Sequence, residues 1–466
     1  MTSSTLNLPG LRTQPASVTR KMAAALPKLR EIAAQKGLKF HHLGAGYPHP
    51  EVTNPKSFIE RTDRWFEHLA KREGLNDAQE LPEFLRDAYA YTDTMGPVGP
   101  RESFASVYGN DWGLQIDAGR LIPTIGATGG ISLLCSIFER IGAEIAYITD
   151  APTYAGFLAR ATLNQRASIY SIPMDREGGD PDALRNQIRA ARADGKLVPF
   201  YYSVPDGHNP AGLSFSERRK QELLRVAEEE NILIAEDAPY LYINYNADRK
   251  ANRPFFAIDP KRTIHLFTGS KIGLPGPRIG FAYSEATVHV ENGRTASLTE
   301  LLLSESSGAI LFHNPLSLLS FEALLRNDDG TIRDSLWPLA DEKLKVYREN
   351  REIVLSGLAK GLGDYRSNFD WTQPEAGFFS AFTINHPGIR VDDTFTNGLV
   401  EKYGVVVVPM YGFYPDDFLR RSPTAGFDQL RLSFCFTESA GDVRRHDLRE
   451  AVSAFTQAML SECGLT

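Results

Sequence analysis

The middle of the chain alternates short apolar runs with amphipathic stretches. Four runs have the length of a β-strand and are apolar at most positions: "EIAYIT" (144–149), "LVPFYYSV" (197–204), "NILIAED" (231–237) and "TIHLFTG" (263–269). Such continuous runs are typical of strands buried on both faces. Between the second and third runs, "SFSERRKQELLRVAEEEN" places Ser216 at a helix N-cap and Leu223 and Leu224 on one helical face. The alternation predicts an α/β core with a largely parallel sheet.

The pattern changes near residue 330. There "SLWPLADEKLKVYRENREIVLSGLAKGL" indicates a long, charged amphipathic helix, and "GFFSAFTI", "GVVVVPM" and "LRLSFCF" indicate strands before a last helix. We therefore expect a large domain over residues 76–330 and a smaller α+β domain over residues 331–466. Residues 1–75 are predicted to form an N-terminal arm and part of the smaller domain, because "LKFHHLGAGYPHP" ends in a loop and does not open a crossover unit.

Composition and charge narrow the class of protein. A chain of 466 residues with 42% hydrophobic and 23% charged residues is long enough for a two-domain enzyme. The net charge of −7 argues against nucleic acid as the main partner. The three cysteines form no CxxC motif or Cys/His cluster, so neither a metal site nor a disulfide framework is predicted. No apolar run approaches the roughly 20 residues that cross a bilayer, so we expect no membrane partner.

Side chains suited to catalysis follow the predicted strands. Because ligands of open α/β sheets gather at the carboxyl ends of the strands, we expect these side chains to converge. In chain order they are Tyr154, Asn209, Asp237, Tyr240, Thr268, Ser270, Lys271 and Arg278. A glycine-rich turn, "GATGG" (126–130), precedes a predicted helix and is expected to join them at the same edge.

This combination of groups suits one cofactor. A desolvated lysine can form a Schiff base with an aldehyde, and an aspartate at a buried strand end can hold a proton on a pyridine nitrogen. A glycine-rich turn leading into a helix binds phosphate through its N–H groups, and an arginine adds a charge-assisted contact. Together these groups indicate pyridoxal 5′-phosphate. Taken alone, each residue also has a purely structural explanation, and "GATGG" would suit a nucleotide phosphate as well.

Several motifs, in their order along the chain, resemble those of a known family. "VPDGHNPAG" and "EDAPY" are similar to the aminoadipate and aromatic aminotransferases, and "SKIGLPGPRIG" and "GVVVVPMYGFYP" to valine–pyruvate aminotransferase. Over roughly residues 40–455 the chain resembles the fold-type I pyridoxal phosphate enzymes, the aspartate aminotransferase superfamily. The resemblance implies an α/β fold of type I, in which a large domain around a mostly parallel central sheet is joined to a smaller α+β domain.

The resemblance also implies a role for each matching residue. Lys271 would bind the cofactor covalently and shuttle a proton, Asp237 would pair with the pyridine nitrogen, and Tyr154 would stack on the ring. Asn209 and Tyr240 would hydrogen-bond the 3-oxygen of the ring. The residues implied to hold the phosphate are Ala127, Thr128, Thr268, Ser270 and Arg278, joined by Tyr91 from a neighbouring subunit. Those implied to bind the substrate are Arg431, which would contact the α-carboxylate, Gly46, Tyr47 and Asn209.

Three positions depart from the family pattern. "GATGG" replaces the commoner Gly-Ser-Gln-Gln type of phosphate turn, so Ala127 offers no hydroxyl. Gly269 stands where bulkier residues are usual, and Ala211 stands where threonine is often found. These departures leave the implied catalytic groups in place, but they suggest a divergent member whose reaction need not be simple transamination.

Three interpretations of function follow. The main one is an aminotransferase that moves an amino group between an L-amino acid and a 2-keto acid, with apolar or aromatic substrates favoured by "VVPMYGFYP". The second is an enzyme of specialised metabolism that uses the same carbanion for γ-substitution, cyclisation or oxidation. The third is a non-catalytic, effector-sensing protein, but the ~40 residues before "GAGYP" fall short of the ~60 that a DNA-binding domain needs.

The implied position of Tyr91 predicts an assembly. If this tyrosine reaches the phosphate of a neighbour, each site needs two chains, and we expect a two-fold symmetric homodimer with shared active sites. We also expect amino acid and keto acid substrates, a role in amino acid metabolism and a cytoplasmic location. Residues 52–87 receive no predicted role.

Overall fold

The computed structural model describes residue 13 and residues 16–75 and 82–465. The helices are α1 (Val18–Gln35), α2 (Pro55–Arg72), α3 (Glu83–Ala88), α4 (Val98–Trp112), α5 (Gly126–Glu139), α6 (Ala155–Ala161), α7 (Pro181–Ala193), α8 (Glu217–Glu229), α9 (Phe255–Ile258), α10 (Leu298–Ala309), α11 (Pro315–Glu322), α12 (Trp337–Leu362), α13 (Asp393–Tyr403), α14 (Asp416–Arg421) and α15 (Gly441–Glu462). The strands are β1 (His41–His42), β2 (Ile122–Ile125), β3 (Ile145–Ala151), β4 (Ala167–Asp175), β5 (Gly178–Gly179), β6 (Phe200–Ser203), β7 (Leu233–Ala238), β8 (Thr263–Thr268), β9 (Ile279–Tyr283), β10 (Thr287–His289), β11 (Thr295–Ser297), β12 (Phe369–Trp371), β13 (Phe379–Ile384), β14 (Val405–Val406), β15 (Val408–Pro409) and β16 (Gln429–Ser433). Most of the predicted N-terminal arm before residue 16, and residues 76–81 of the segment 52–87, lie outside the described residues.

The largest sheet in the described part of the chain has eight strands, in the order β2-β9-β8-β7-β6-β3-β4-β5. The central strands β8, β7, β6, β3 and β4 pair in parallel, whereas β2, β9 and β5 pair antiparallel at its two ends. Every position of β3, β6, β7 and β8 is buried, which explains their continuous apolar sequences. The predicted α/β fold with a mostly parallel central sheet is confirmed.

Helix α8 illustrates how local sequence sets an element. The side chain of Ser216 accepts a hydrogen bond from the backbone N–H of Arg219 at 3.1 Å, so the helix begins where its N-cap was predicted. Leu223 and Ala227 are fully buried and pack in the core on one side of the large sheet. The charged residues Arg225, Glu228 and Glu229 are exposed on the opposite face of the helix.

A second sheet lies in the C-terminal part of the chain. Its strands run antiparallel in the order β12-β13-β16-β15. The segment "GVVVVPM", predicted as one strand, is divided, because residues 405–406 pair with β1 and residues 408–409 pair with β16. The pairing of β1 with β14 joins residues 41–42 to this C-terminal part. The domain boundaries at 75/76 and 330/331 stay predictions.

The parallel strands determine where a site can form. Strands β3, β6, β7 and β8 all point the same way, so the loops after them open at one edge of the sheet.

In the described ranges no helix combines the length and the apolar character needed to cross a bilayer.

Candidate active site

A cavity of about 550 Å³ opens at the carboxyl edge of the large sheet. All the predicted site residues except Tyr91 line it, from Gly46 to Arg431. Tyr91 lies outside the cavity and is 88% exposed, with its ring edge-on to Phe312 at 6.1 Å between centroids. Within residues 16–75 and 82–465, no group of three His, Cys, Asp or Glu side chains is arranged to hold a metal ion.

Lys271 follows β8 and extends its amine into the cavity. The Nζ donates a hydrogen bond to the carbonyl oxygen of Gly46 at 2.6 Å and lies 6.0 Å from the centroid of the Tyr240 ring. Burial lowers the pKa of Lys271 to about 8, since the charged form loses hydration. This amine therefore gives up its proton more readily than a solvent-exposed lysine, as a nucleophile or base requires.

Asp237 lies on β7 and is 3% exposed. Its Oδ2 accepts a hydrogen bond from the Tyr202 hydroxyl at 2.6 Å, whereas its Oδ1 is buried with no partner among the described residues. Burial raises the pKa of Asp237 to about 6, although Tyr202 and Lys271 act in the opposite direction. A buried carboxylate with one unpaired oxygen has room for one more N–H donor, such as a protonated pyridine.

Helix α5 supplies the glycine-rich turn. The helix begins at Gly126, so "GATGG" forms its first turn and does not precede it as predicted. Gly126 has φ of 63°, and a Cβ added there would lie 2.7 Å from Nη2 of Arg278, so the position requires glycine. The N–H groups in the first turn of a helix lack intrahelical acceptors and form a ready anion site. Ala127 and Thr128 occupy this turn and line the cavity.

Three polar side chains complete the anion site around α5. The Ser270 hydroxyl oxygen accepts hydrogen bonds from Thr268 Oγ1 at 3.0 Å and from Arg278 Nη1 at 3.1 Å. Since its oxygen already serves two donors, the Ser270 proton is left for an external acceptor. A guanidinium, this hydroxyl and a helix N-terminus on one wall suit a phosphate group.

Arg431 lies on β16 and is 2% exposed. Its Nη1 donates to Asn209 Oδ1 and its Nη2 to the carbonyl oxygen of Gly44, both at 2.9 Å. The guanidinium carbon lies 4.2 Å from the ring centroid of Phe379 and 5.1 Å from that of Phe413. Burial lowers the pKa of Arg431 to about 10, so the group remains charged at neutral pH. Its Nε, buried without a partner in the described part of the chain, can donate to a carboxylate.

The residues present fit pyridoxal 5′-phosphate. The unpaired Oδ1 of Asp237 can accept from the pyridine nitrogen, and the anion site around α5 can hold the phosphate. Lys271 supplies the amine, and Tyr154, Asn209 and Tyr240 line the space between these groups. The roles of the individual residues stay predictions.

Two contributors were missed from the sequence. Tyr202 lies within a predicted strand, and its parallel pairing with Ala235, two residues before Asp237, could have indicated the contact. Helix α1 adds a further wall to the cavity, with side chains from Thr19, Arg20, Met22, Ala23 and Leu26. No local signal indicates this, because α1 reaches the cavity only through tertiary packing.

Comparison with known proteins gives consistent matches. A family model described as aminotransferase class I and II matches residues 79–432. The chain is 26% identical over 399 residues to the (S)-3,5-dihydroxyphenylglycine transaminase of Amycolatopsis orientalis, covering 84% of this chain and 82% of that protein. It is 25% identical over 386 residues to aromatic-amino-acid aminotransferase 1 of Thermococcus litoralis, covering 82% of each. The crystal structure of an archaeal alanine:glyoxylate aminotransferase superposes with a TM-score of 0.76 at 25% identity, covering 96% of each chain.

Proposed function

Because the chain belongs to the class I and II aminotransferases and is thus a pyridoxal phosphate-dependent transferase, we propose that it moves an amino group between an aromatic or apolar L-amino acid and a 2-keto acid. The observation that carries this proposal is the convergence of Lys271, Asp237 and Arg431 on one cavity. A nucleophilic amine, a partner for a pyridine nitrogen and a carboxylate-binding guanidinium are the groups that this chemistry requires.

The cofactor is pyridoxal 5′-phosphate, and each part of it has a binding group. Asp237 accepts from the pyridine nitrogen, Tyr154 covers the ring, and Asn209 and Tyr240 bind the 3-oxygen. The phosphate is held by Ala127, Thr128, Thr268, Ser270 and Arg278. When bound, the cofactor supplies an aldehyde for the lysine amine and an electron-withdrawing ring that stabilises negative charge at the substrate Cα.

Lys271 and Arg431 act on different parts of the substrate. Arg431 binds the α-carboxylate, and its contacts with Asn209, Phe379 and Phe413 fix the guanidinium so that the Cα takes one position. Lys271 removes the Cα proton, because burial has lowered the pKa of its amine to about 8. Gly46 and Tyr47 close the same side of the cavity.

Substrate preference is inferred from the lining and from the relatives. The cavity lining includes apolar side chains, among them Met22, Leu26 and Val408, which suit an apolar or aromatic substrate. The two relatives compared above are named for an aromatic amino acid and for dihydroxyphenylglycine, which also carries an aromatic ring.

Arg20 favours a dicarboxylic 2-keto acid as the amino-group acceptor. This arginine lines the cavity and forms no ion pair with any described residue, so its charge is available to a second carboxylate. Arg20→Gln should raise the KM for a dicarboxylic keto acid by about tenfold or more and leave the KM for an aromatic donor within about twofold. Lys21→Gln, an exposed change on the same helix, is the matched control. An equal rise for a monocarboxylic keto acid would contradict this assignment.

The reaction itself is tested with purified protein. Incubation with pyridoxal phosphate and an aromatic amino acid should yield pyridoxamine phosphate and a keto acid, and a 2-keto acid should reverse the change. Lys271→Ala should lose both turnover and the visible absorption of the lysine-bound cofactor, whereas exposed Lys261→Ala should keep both. Loss of the amino acid without pyridoxamine phosphate would refute transamination in favour of another use of the same carbanion.

We further propose a homodimer with shared active sites, in which Tyr91 reaches the phosphate of the neighbouring copy. Large side chains are exposed around it: Tyr89 at 79%, Tyr91 at 88% and Leu311, next to its ring partner Phe312, at 47%. Surface of this kind is typical of a protein interface. We also propose a cytoplasmic location, because all three cysteines are free thiols, as in a reducing compartment. A role in amino acid metabolism follows from the proposed reaction.

A further inference from the structure

The loop between α10 and α11 places a buried histidine beside the anion site. His313 is 4% exposed and does not line the cavity. Its Nε2 lies 3.0 Å from the carbonyl oxygen of Arg278, and its Nδ1 lies 3.2 Å from the carbonyl oxygen of Asn314. Both carbonyl oxygens can only accept, and a neutral imidazole carries a single N–H. We assign this proton to Nε2, which makes the shorter contact and so donates to Arg278.

The backbone of Arg278 needs this support. Its φ is 58°, in the left-handed region that residues other than glycine rarely adopt. The carbonyl oxygen of Arg278 accepts from two donors, the N–H of Gly126 at 2.9 Å and Nε2 of His313. These two bonds hold the peptide in the conformation from which the guanidinium reaches Ser270.

We propose that His313 is a positioning residue for the cofactor phosphate, and that it acts by fixing the main chain of Arg278. The proposal rests on the proposed function, in which Arg278 binds the phosphate. Without the imidazole donor, the Arg278 carbonyl keeps only the Gly126 bond. The peptide can then relax away from positive φ, and the guanidinium moves off the phosphate position.

The same loop contacts the surface that is proposed to meet a second copy. Phe312, next to His313, packs edge-on against Tyr91. The loop therefore contacts two residues that are proposed to bind phosphate groups. His313 contacts Arg278, which binds the phosphate of its own chain, and Phe312 contacts Tyr91, which reaches the phosphate of the neighbouring chain. A substitution of His313 is therefore expected to weaken binding of the cofactor phosphate and to leave binding of the cofactor ring unchanged.

The test compares two aldehydes that differ only in the phosphate. Dissociation constants for pyridoxal 5′-phosphate and for pyridoxal are measured on the full-length, cofactor-free protein. His313→Phe should weaken binding of pyridoxal phosphate by about tenfold, the factor that one hydrogen bond supports, and leave pyridoxal within about twofold. His313→Gln, whose amide N–H can take the place of Nε2, should restore most of the difference. Leu318→Ala, a fully buried apolar change on α11, controls for general destabilisation and should lower the melting temperature without changing the ratio of the two constants.

Arg278→Ala separates this inference from the proposed function. It should reduce the preference for the phosphorylated aldehyde, and His313→Phe added to it should have no further effect. If Arg278→Ala reduces the preference but His313→Phe does not, or if His313→Phe weakens both aldehydes equally, the role of His313 is overturned and the phosphate site stands. If Arg278→Ala leaves the preference unchanged, the phosphate assignment falls, and the role of His313 falls with it.

Discussion

At the scale of single residues, burial shifts the pKa of three charged groups in the cavity toward neutrality. The pKa is lowered to about 8 for Lys271 and to about 10 for Arg431, and it is raised to about 6 for Asp237. In each case the main cause is desolvation, which penalises the charged form. The result is a lysine that can lose its proton near neutral pH, beside an arginine that cannot.

The contact of Asp237 with Tyr202 leads to a prediction about pH. In the proposed role the ionised carboxylate accepts from the pyridine nitrogen, so cofactor affinity should fall as the pH falls through about 6, the pKa of Asp237 in the cofactor-free protein. The Tyr202 hydroxyl donates to Oδ2 and lowers this pKa. Tyr202→Phe should therefore raise the pKa of Asp237, and the loss of affinity should begin at a higher pH. Titration of pyridoxal phosphate binding across this pH range measures the shift.

A neighbouring tyrosine provides the control for that titration. Tyr201 is also fully buried on β6, but its hydroxyl bonds to Asp150 and not to Asp237. Tyr201→Phe should lower stability without displacing the acid limb of cofactor binding. Superimposable pH profiles for Tyr202→Phe and the unchanged protein would contradict the role given to Tyr202.

At the scale of elements, helix α12 connects the two main cores. Ala340, near its start, packs with residues of the large sheet and the loop after β8, whereas Leu358 packs with the C-terminal sheet. Between them, Lys343 donates to the carbonyl oxygen of Ile272, the residue after Lys271. A Cβ at Gly273 would lie 2.7 Å from Nζ of Lys343 and 2.8 Å from the carbonyl oxygen of Val52, so glycine permits this close approach. The helix thus holds the loop of the proposed catalytic lysine.

The helix contact can be removed without shortening the side chain. Lys343→Met keeps the aliphatic stem but leaves the Ile272 carbonyl without its donor, so the free energy of unfolding should fall by about 1–3 kcal/mol. Lys345→Met, an exposed change on the same helix, should stay within about 0.5 kcal/mol of the unchanged protein. Denaturant unfolding of the cofactor-free proteins measures both values, and equal values for the two variants would argue against the contact.

At the scale of the whole molecule, the proposed shared site predicts complementation. A chain with Lys271→Ala should be inactive, and a chain with Tyr91→Phe should bind the cofactor about tenfold more weakly, as expected for one lost hydrogen bond. In a hybrid dimer of the two, one site has the intact lysine of one chain and the intact tyrosine of the other. Activity at limiting cofactor should therefore reappear when the variants are co-expressed and the hybrid is purified. If Tyr91 served its own chain, the hybrid would show no recovery.

Much of this arrangement could be predicted from the sequence. The four apolar runs correspond to β3, β6, β7 and β8, and Ser216 caps α8. The side chains after those runs line one cavity, because parallel strands present their carboxyl ends together. Two local predictions failed. The segment "GVVVVPM" is not a single strand, because its two halves pair with different strands and no local pattern specifies pairing partners. The turn "GATGG" does not precede its helix, because α5 already begins at Gly126.

The sequence by itself determined the elements and the chemical groups, because periodicity, capping and turn residues act between near neighbours in the chain. Only the tertiary structure decided which polar groups find a partner within the chain and which remain available to a ligand. It buried Asp237 with one oxygen unpaired, enclosed Arg431 between two rings and brought Arg20 of α1 to the cavity wall. These outcomes depend on desolvation and on contacts between distant segments, and both arise only when the whole chain has packed.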